Sequence, residues 1–122
     1  MSKHFTYEKV PIKIFKTATI GSIKAAQEIA ALIRSKAAEN KPCILGLATG
    51  NTPKMVYNEL IKMHKQDGLS FKHVITFNLD EYYPMHKETI QSYYRFMHEH
   101  LFNHIDILSE NCHIPDGDVD IE

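Results

Sequence analysis

The chain has no tryptophan, only two cysteines and no long apolar run. No stretch approaches the roughly 20 apolar residues that a membrane helix needs, and residues 1–5 lack the apolar core of a signal peptide. Cys43 lies in a short apolar segment and Cys112 in a late loop, an arrangement that favours free thiols over a disulfide framework. We therefore expect a cytoplasmic protein without a membrane partner.

Neither sign of charge dominates, since 14 basic and 15 acidic residues leave a net charge of −1. The basic residues are spread along the chain, without the stripe that binding to a nucleic-acid backbone requires. Neither Gly-x-Gly-x-x-Gly nor a Walker-type Gly-Lys-Ser/Thr occurs, so dinucleotide and nucleotide binding are disfavoured. A length of 122 residues with 43% hydrophobic and 24% charged residues is typical of one globular domain.

Hydrophobic periodicity predicts alternating strands and helices. We predict a strand in residues 10–15, a helix over 20–39, a strand over 43–47, a helix over 53–66, a strand over 74–79, a helix over 91–104, and short apolar pieces at 105–107 and 112–114. This order indicates an α/β fold with a parallel sheet and helices on both faces, Rossmann-like in type.

The predicted domain looks incomplete at its C-terminal side. Residues 118–122 resemble the acidic first turn of a further helix, and a parallel sheet of three strands would leave a bare edge. We therefore interpret residues 1–122 as the N-terminal part of a single domain.

A loop of small and hydroxylated residues follows the second predicted strand. Residues 45–53 read Leu-Gly-Leu-Ala-Thr-Gly-Asn-Thr-Pro, in which Thr52 is a candidate N-cap and Pro53 a candidate first helical residue. A strand, a small loop and a helix N-terminus together can bind an anion through free backbone N–H groups and the helix dipole. The alternative is an ordinary turn between a strand and a helix.

Acidic residues follow the third predicted strand directly. The carboxyl ends of neighbouring parallel strands meet at one sheet edge, so Asp80 is expected beside the loop at 48–52. Rigid support and partial desolvation would suit Asp80 to proton abstraction. Alternatively, Asp80 or Glu81 caps a turn or pairs with a lysine. Tyr93, at the start of the next helix, could hydrogen-bond a sugar hydroxyl or could serve packing alone.

The eight histidines do not predict a metal site. His100 and His104 have a spacing that can bind zinc, but no third ligand is evident and Phe96, Leu101 and Phe102 indicate helix packing. We therefore expect no metal.

Three segments together resemble the glucosamine-6-phosphate deaminase (isomerase) family: residues 45–53, 70–82 and 91–97. The resemblance is closer to the deaminases than to the 6-phosphogluconolactonases, which share the fold. It implies conversion of glucosamine 6-phosphate to fructose 6-phosphate and ammonia without a cofactor. It also implies the following roles: Thr49, Gly50, Asn51 and Thr52 bind the phosphate, Asp80 moves a proton between C2 and C1, and Glu81 and Tyr93 contribute to substrate binding.

The chain departs from the family pattern in two ways. Asn51 stands where many members carry glycine or serine. The family's ring-opening histidine, with its acidic partners in a Gly-x-Gly-x-Asp-Gly-His segment, has no counterpart here. We therefore expect the complete protein to be active, with a homo-oligomer as one possible assembly, and these 122 residues alone to be inactive. Two alternatives stay open: a 6-phosphogluconolactonase-like hydrolase and a non-catalytic sugar-phosphate sensor domain.

Overall fold

The computed structural model describes residues 3–7 and 10–120, which form five strands and three α-helices. The elements are β1 (Lys3–Tyr7), β2 (Val10–Ile14), α1 (Ala18–Ala38), β3 (Cys43–Leu47), α2 (Asn51–Asp67), β4 (Val74–Asn78), α3 (Tyr93–His100) and β5 (Cys112–His113). Single turns of 3-10 helix lie at Phe102–His104 and Ser109–Asn111. None of the helices in these ranges is long and apolar enough to cross a membrane.

A parallel sheet in the order β3-β4-β5 forms the centre of the fold. Cys43 pairs with Val74 and Leu47 with Asn78, so β3 and β4 run side by side over their full lengths. Helix α2 connects β3 to β4, and the segment containing α3 connects β4 to β5. The prediction of a parallel α/β fold with β4 as a central strand is confirmed.

One face of this sheet carries the hydrophobic core. Alternate side chains of the strands point to this face, among them Cys43, Leu47 and Val74, and all three are buried. The helices and the connecting segments contribute the other buried members of the cluster: Ala26, Ala30, Ile33, Tyr57, Leu60, Leu69, Phe71, Met97, Leu101 and Phe102. The buried Ala26, Ala30 and Ile33 show that the centre of α1 packs on this core.

The opposite face of the sheet is open among the described residues. Ile44 is 62% exposed and Phe77 48% exposed. The expected helices on both faces are therefore not found within residues 3–7 and 10–120. Right-handed crossovers that add strands in one direction place their helices on the same side, which explains why α2 and α3 both pack on one face.

Several element boundaries differ from the prediction. Strand β2 pairs with β1 in an antiparallel hairpin that the weak alternation of residues 10–15 did not reveal. Helix α1 begins at Ala18, where the Thr17 hydroxyl caps it by accepting a hydrogen bond of 3.1 Å from the N–H of Ile20. Helix α3 ends at His100 because Leu101 adopts φ −144°, and the chain continues as a 3-10 turn.

Candidate functional site

Two loops leave the sheet at the same level, from the carboxyl ends of β3 and β4. Leu47 is paired with Asn78, and the Asn78 Nδ2 donates a hydrogen bond of 3.3 Å to the Leu47 carbonyl. Residues 48–50 and the segment beginning at Leu79 therefore start side by side. This confirms the expectation that the small loop and the acidic segment share one sheet edge.

Gly50 determines where α2 begins. Its φ of 111° and ψ of 179° lie in a region that only glycine adopts without strain, and it is the N-cap residue of the helix. The predicted N-cap at Thr52 is wrong, because this glycine turns the chain into the helix two residues earlier. Pro53 is the third helical residue rather than the first; it is tolerated there because N–H groups in the first turn have no intrahelical acceptor.

The N-terminus of α2 is open to an anion. No side chain caps it, so the N–H groups of Asn51 and Thr52 have neither a capping partner nor an intrahelical acceptor. Thr49 is half-buried at the base of the loop, and Asn51 and Thr52 are exposed. These N–H groups and the positive end of the helix dipole suit a phosphate group.

Tyr57 anchors the loop from below. Its side chain is buried, and its hydroxyl donates a short hydrogen bond to the Ala48 carbonyl. Burial raises the pKa of Tyr57 to about 12. No local sequence pattern singled out this residue, although it lies on the inward face of α2 one helical turn before Ile61 and beside Leu60.

Replacing Tyr57 with Phe is expected to reduce the loss of folding stability that the chain shows at alkaline pH. The neutral phenol is favoured in the folded state, so its stabilisation is complete below pH 10 and is lost as the pH rises towards 12. At about 1.4 kcal/mol per pKa unit, the wild-type chain should lose about 2–3 kcal/mol through this group across that interval. Urea denaturation of both proteins at pH 8, 10 and 11.5 checks this, and parallel pH profiles would contradict it.

Asp80 lies at the rim of the site and is exposed. The expected partial desolvation is therefore not observed. Leu79 and Tyr82 near it are themselves 79% and 48% exposed, so neither shields the carboxylate from water. Strand β4 ends at Asn78, so Asp80 lies two residues beyond it, and the rigid support expected from the strand stays a prediction.

Tyr93 brings the two loops together. Its ring lies 4.6 Å from that of Tyr82, measured between centroids. The pKa of Tyr93 is raised, first by hydrogen bonding to Tyr82, then by burial and by the charges of Tyr82 and Asp80, while the Thr49 hydroxyl acts in the opposite direction. Tyr93, a predicted site residue, therefore lies against Tyr82 and near Thr49, and the charge of Asp80 acts on it from further away.

Glu81 caps the N-terminus of α3. Its Oε1 accepts a hydrogen bond of 2.8 Å from the Tyr93 N–H, and its Oε2 accepts one of 3.0 Å from the Tyr94 N–H. The capping alternative that the sequence left open therefore describes Glu81. Its predicted contact with substrate stays a prediction, but both carboxylate oxygens already have protein partners.

The histidines and lysines near the site have other contacts. Residues 3–7 and 10–120 contain no group of three or more His, Cys, Asp or Glu side chains that could hold a metal ion. The His100 ring packs at a tilt of 48° against Phe96, with ring centroids 4.5 Å apart. The Lys54 ammonium lies 5.7 Å from the centroid of the same Phe96 ring as a cation–π contact.

An open helix N-terminus and a carboxylate thus lie at the edge of the parallel sheet where α/β proteins commonly bind their ligands. Comparison with known proteins identifies the family. The family model described as glucosamine-6-phosphate isomerases/6-phosphogluconolactonase matches residues 18–121. The chain belongs to this family.

Curated relatives with high identity are named glucosamine-6-phosphate deaminases. One from Treponema denticola is 55% identical over 86 residues, covering 70% of this chain and 32% of the relative. Another from Yersinia pseudotuberculosis is 44% identical over 114 residues, covering 91% of this chain and 43% of the relative. The chain thus spans less than half the length of these relatives.

Solved structures show the same fold. A monomeric glucosamine-6-phosphate deaminase aligns with a TM-score of 0.82 and 36% identity, over 88% of this chain and 43% of that protein. A 6-phosphogluconolactonase from Thermotoga maritima aligns with a TM-score of 0.65 and 23% identity, over 82% of this chain and 44% of that protein. The second likeness concerns the fold alone.

Proposed function

We propose that the complete gene product converts glucosamine 6-phosphate and water to fructose 6-phosphate and ammonia, and that this chain supplies its phosphate loop and its base. The observation that carries the proposal is the shared sheet edge, where the open N-terminus of α2 and the segment that carries Asp80 begin side by side. The named relatives support the deaminase over the lactonase, because the identities of 55% and 44% belong to deaminases.

In this proposal each group has one task. The N–H groups of Gly50, Asn51 and Thr52 and the Thr49 hydroxyl hold the 6-phosphate at the helix N-terminus. The Asp80 carboxylate takes the proton from C2 of the open-chain sugar and returns it to C1. The nitrogen left on C2 departs as ammonia, and water supplies the oxygen that replaces it. The reaction therefore combines an isomerisation with a hydrolysis and needs no cofactor.

We further propose that residues 1–122 form the N-terminal part of one domain and are inactive alone. The relatives are more than twice as long, and the chain has no counterpart of the family's ring-opening segment. A cytoplasmic location and association into a homo-oligomer stay predictions.

The test is ammonia release from glucosamine 6-phosphate by the purified complete gene product, with the 122-residue chain assayed in parallel. We expect turnover by the complete product and none by the chain. Hydrolysis of 6-phosphogluconolactone without ammonia release would identify a lactonase instead. Tight binding of the sugar phosphate without turnover would identify a sensor domain.

Replacement of Gly50 with Ala is expected to weaken phosphate binding. A methyl group at φ 111° strains the backbone although no atom lies within 4 Å of the added carbon, so the loop must turn away from its present course. Loss of one N–H contact to the phosphate should raise KM about tenfold, since a hydrogen bond to a charged group contributes ~1.5 kcal/mol.

Gly46→Ala is the matched control for Gly50→Ala. Gly46 lies in β3 without a positive φ, and its added carbon also has no atom within 4 Å. Steady-state kinetics of the complete gene product should show a raised KM for the Gly50 variant alone. An equal KM in both variants would contradict the assigned role of the loop.

A further inference from the structure

We propose that Glu81 and Gly117 are positioning residues: from two sides they hold the segment that carries Asp80 and Tyr82 against α3. This inference rests on the proposed function and extends it to residues that need not touch the substrate. Glu81 acts through backbone hydrogen bonds, and Gly117 acts through the absence of a side chain.

Glu81 fixes the segment to the helix that presents Tyr93. Besides the N–H groups of Tyr93 and Tyr94, its carboxylate accepts a hydrogen bond of 3.0 Å from the N–H of Tyr82. A negative charge on the first turn of a helix also interacts favourably with the helix dipole. The residue that follows Asp80 in sequence is thereby tied to an element 12 residues further along the chain.

Gly117 supports the same segment from its other side. A Cβ at this position would lie 2.3 Å from the Tyr82 carbonyl oxygen and 2.9 Å from the Met85 carbonyl oxygen. Both contacts are with backbone, so a side chain could be accommodated only if the segment moved. The Met85 N–H also donates a hydrogen bond of 2.7 Å to the Gly117 carbonyl.

The turn that contains Gly117 is itself held in place. The Asp116 side chain accepts a hydrogen bond of 2.9 Å from the Asp118 N–H, and the Tyr83 hydroxyl donates one of 3.1 Å to the Val119 carbonyl. The Asp80 backbone thus lies between the end of β4 and a segment held from two sides. An exposed carboxylate with few side-chain partners depends on this backbone for its position.

The experiment compares Glu81→Gln and Gly117→Ala with Gly21→Ala in the complete gene product. Gln keeps the size of Glu81 but replaces one acceptor oxygen with an amide that faces an N–H group. Gly21→Ala is the matched control, because its added carbon meets only side-chain carbons of Phe15, at the ordinary distances of 3.4, 3.7 and 3.8 Å. The measurements are kcat, KM, the thermal midpoint, and nuclear Overhauser effects between the rings of Tyr82 and Tyr93.

We expect kcat to fall in both test variants, by about 100-fold for Gly117→Ala, the cost of a displacement near 1 Å in a reacting group. The change in KM should be much smaller, and the contacts between the two rings should weaken. Gly21→Ala should behave as the wild type. A purely structural role would lower the thermal midpoint while kcat and the ring contacts of the folded protein stayed unchanged, and this result would overturn the proposal.

The two proposals can fail separately. If the wild-type product does not turn over glucosamine 6-phosphate, the proposed function fails. The positioning role is then tested only by the contacts between the Tyr82 and Tyr93 rings. Contacts that persist in both variants then overturn it, and contacts that weaken in both support it. Should Gly117→Ala not fold, the milder Glu81→Gln variant gives the decision by the same criteria.

Discussion

Replacement of Asp80 with Asn is expected to reduce kcat for ammonia release by about 10²–10⁴-fold, the usual contribution of a positioned general base. The amide has nearly the same shape as the carboxylate but cannot accept the C2 proton. Asp80 is exposed and lies outside the hydrophobic core, so the variant should keep its structure. The KM should change much less than kcat, because the phosphate loop is untouched.

The measurement is a coupled ammonia assay on the complete gene product. Asp67→Asn is the matched control, since Asp67 is also an exposed aspartate but lies at the far end of α2. Full activity of the Asp80 variant would remove Asp80 from the role of base. Equal losses in the two variants would indicate a general effect of charge instead.

Truncation of Phe71 to Ala should give the largest loss of stability. Its side chain is 1% exposed just before β4, where it meets the His64 ring edge-on at 6.1 Å between centroids. Truncating a buried phenylalanine typically costs about 3–5 kcal/mol, the sum of lost burial and the cavity left behind. That amount is a large fraction of the stability of a small domain.

Phe77→Ala is the control for Phe71→Ala. Phe77 is 48% exposed on the open face of the sheet, where it stacks on His113 with centroids 4.7 Å apart. Urea denaturation of the 122-residue chain should show less than half the Phe71 effect. Similar losses for the two substitutions would contradict the assignment of the core to one face of the sheet.

The parts of the fold that depend on local patterns could be predicted from the sequence. The apolar run of β3 and the helical spacing of Ala26, Ala30 and Ile33 are short-range features, and both predictions are confirmed. The start of α2 was misplaced because Thr-Pro is a favourable helix beginning, whereas the positive φ of Gly50 depends on how the chain leaves β3. The open face of the sheet was also not predicted. An apolar run indicates that a strand is buried, but it does not show whether one face of the strand or both faces are covered.

For the candidate site, parallel-sheet geometry predicted the shared edge of Thr49 and Asp80, since the carboxyl ends of neighbouring strands must meet. The contacts of Glu81 with α3 and of Gly117 with the Tyr82 backbone join residues distant in sequence and carry no short-range pattern. The exposure of Asp80 depends on what surrounds the strand end, and therefore no local pattern could reveal it. The catalytic and binding roles themselves came from the family resemblance.

The unit formed by β3, α2 and β4 has a consequence for local opening of the folded protein. Its two strands pair in register from Cys43–Val74 to Leu47–Asn78, and these strands carry side chains of the buried core. Amides in core strands exchange only through costly openings, whereas loops with few buried apolar contacts open easily. We therefore expect the β3 and β4 amides to exchange more slowly in native-state hydrogen exchange than the Met85 N–H, which donates to the Gly117 carbonyl between two loops. The phosphate loop would then keep its course while the segment that carries Asp80 opens and closes.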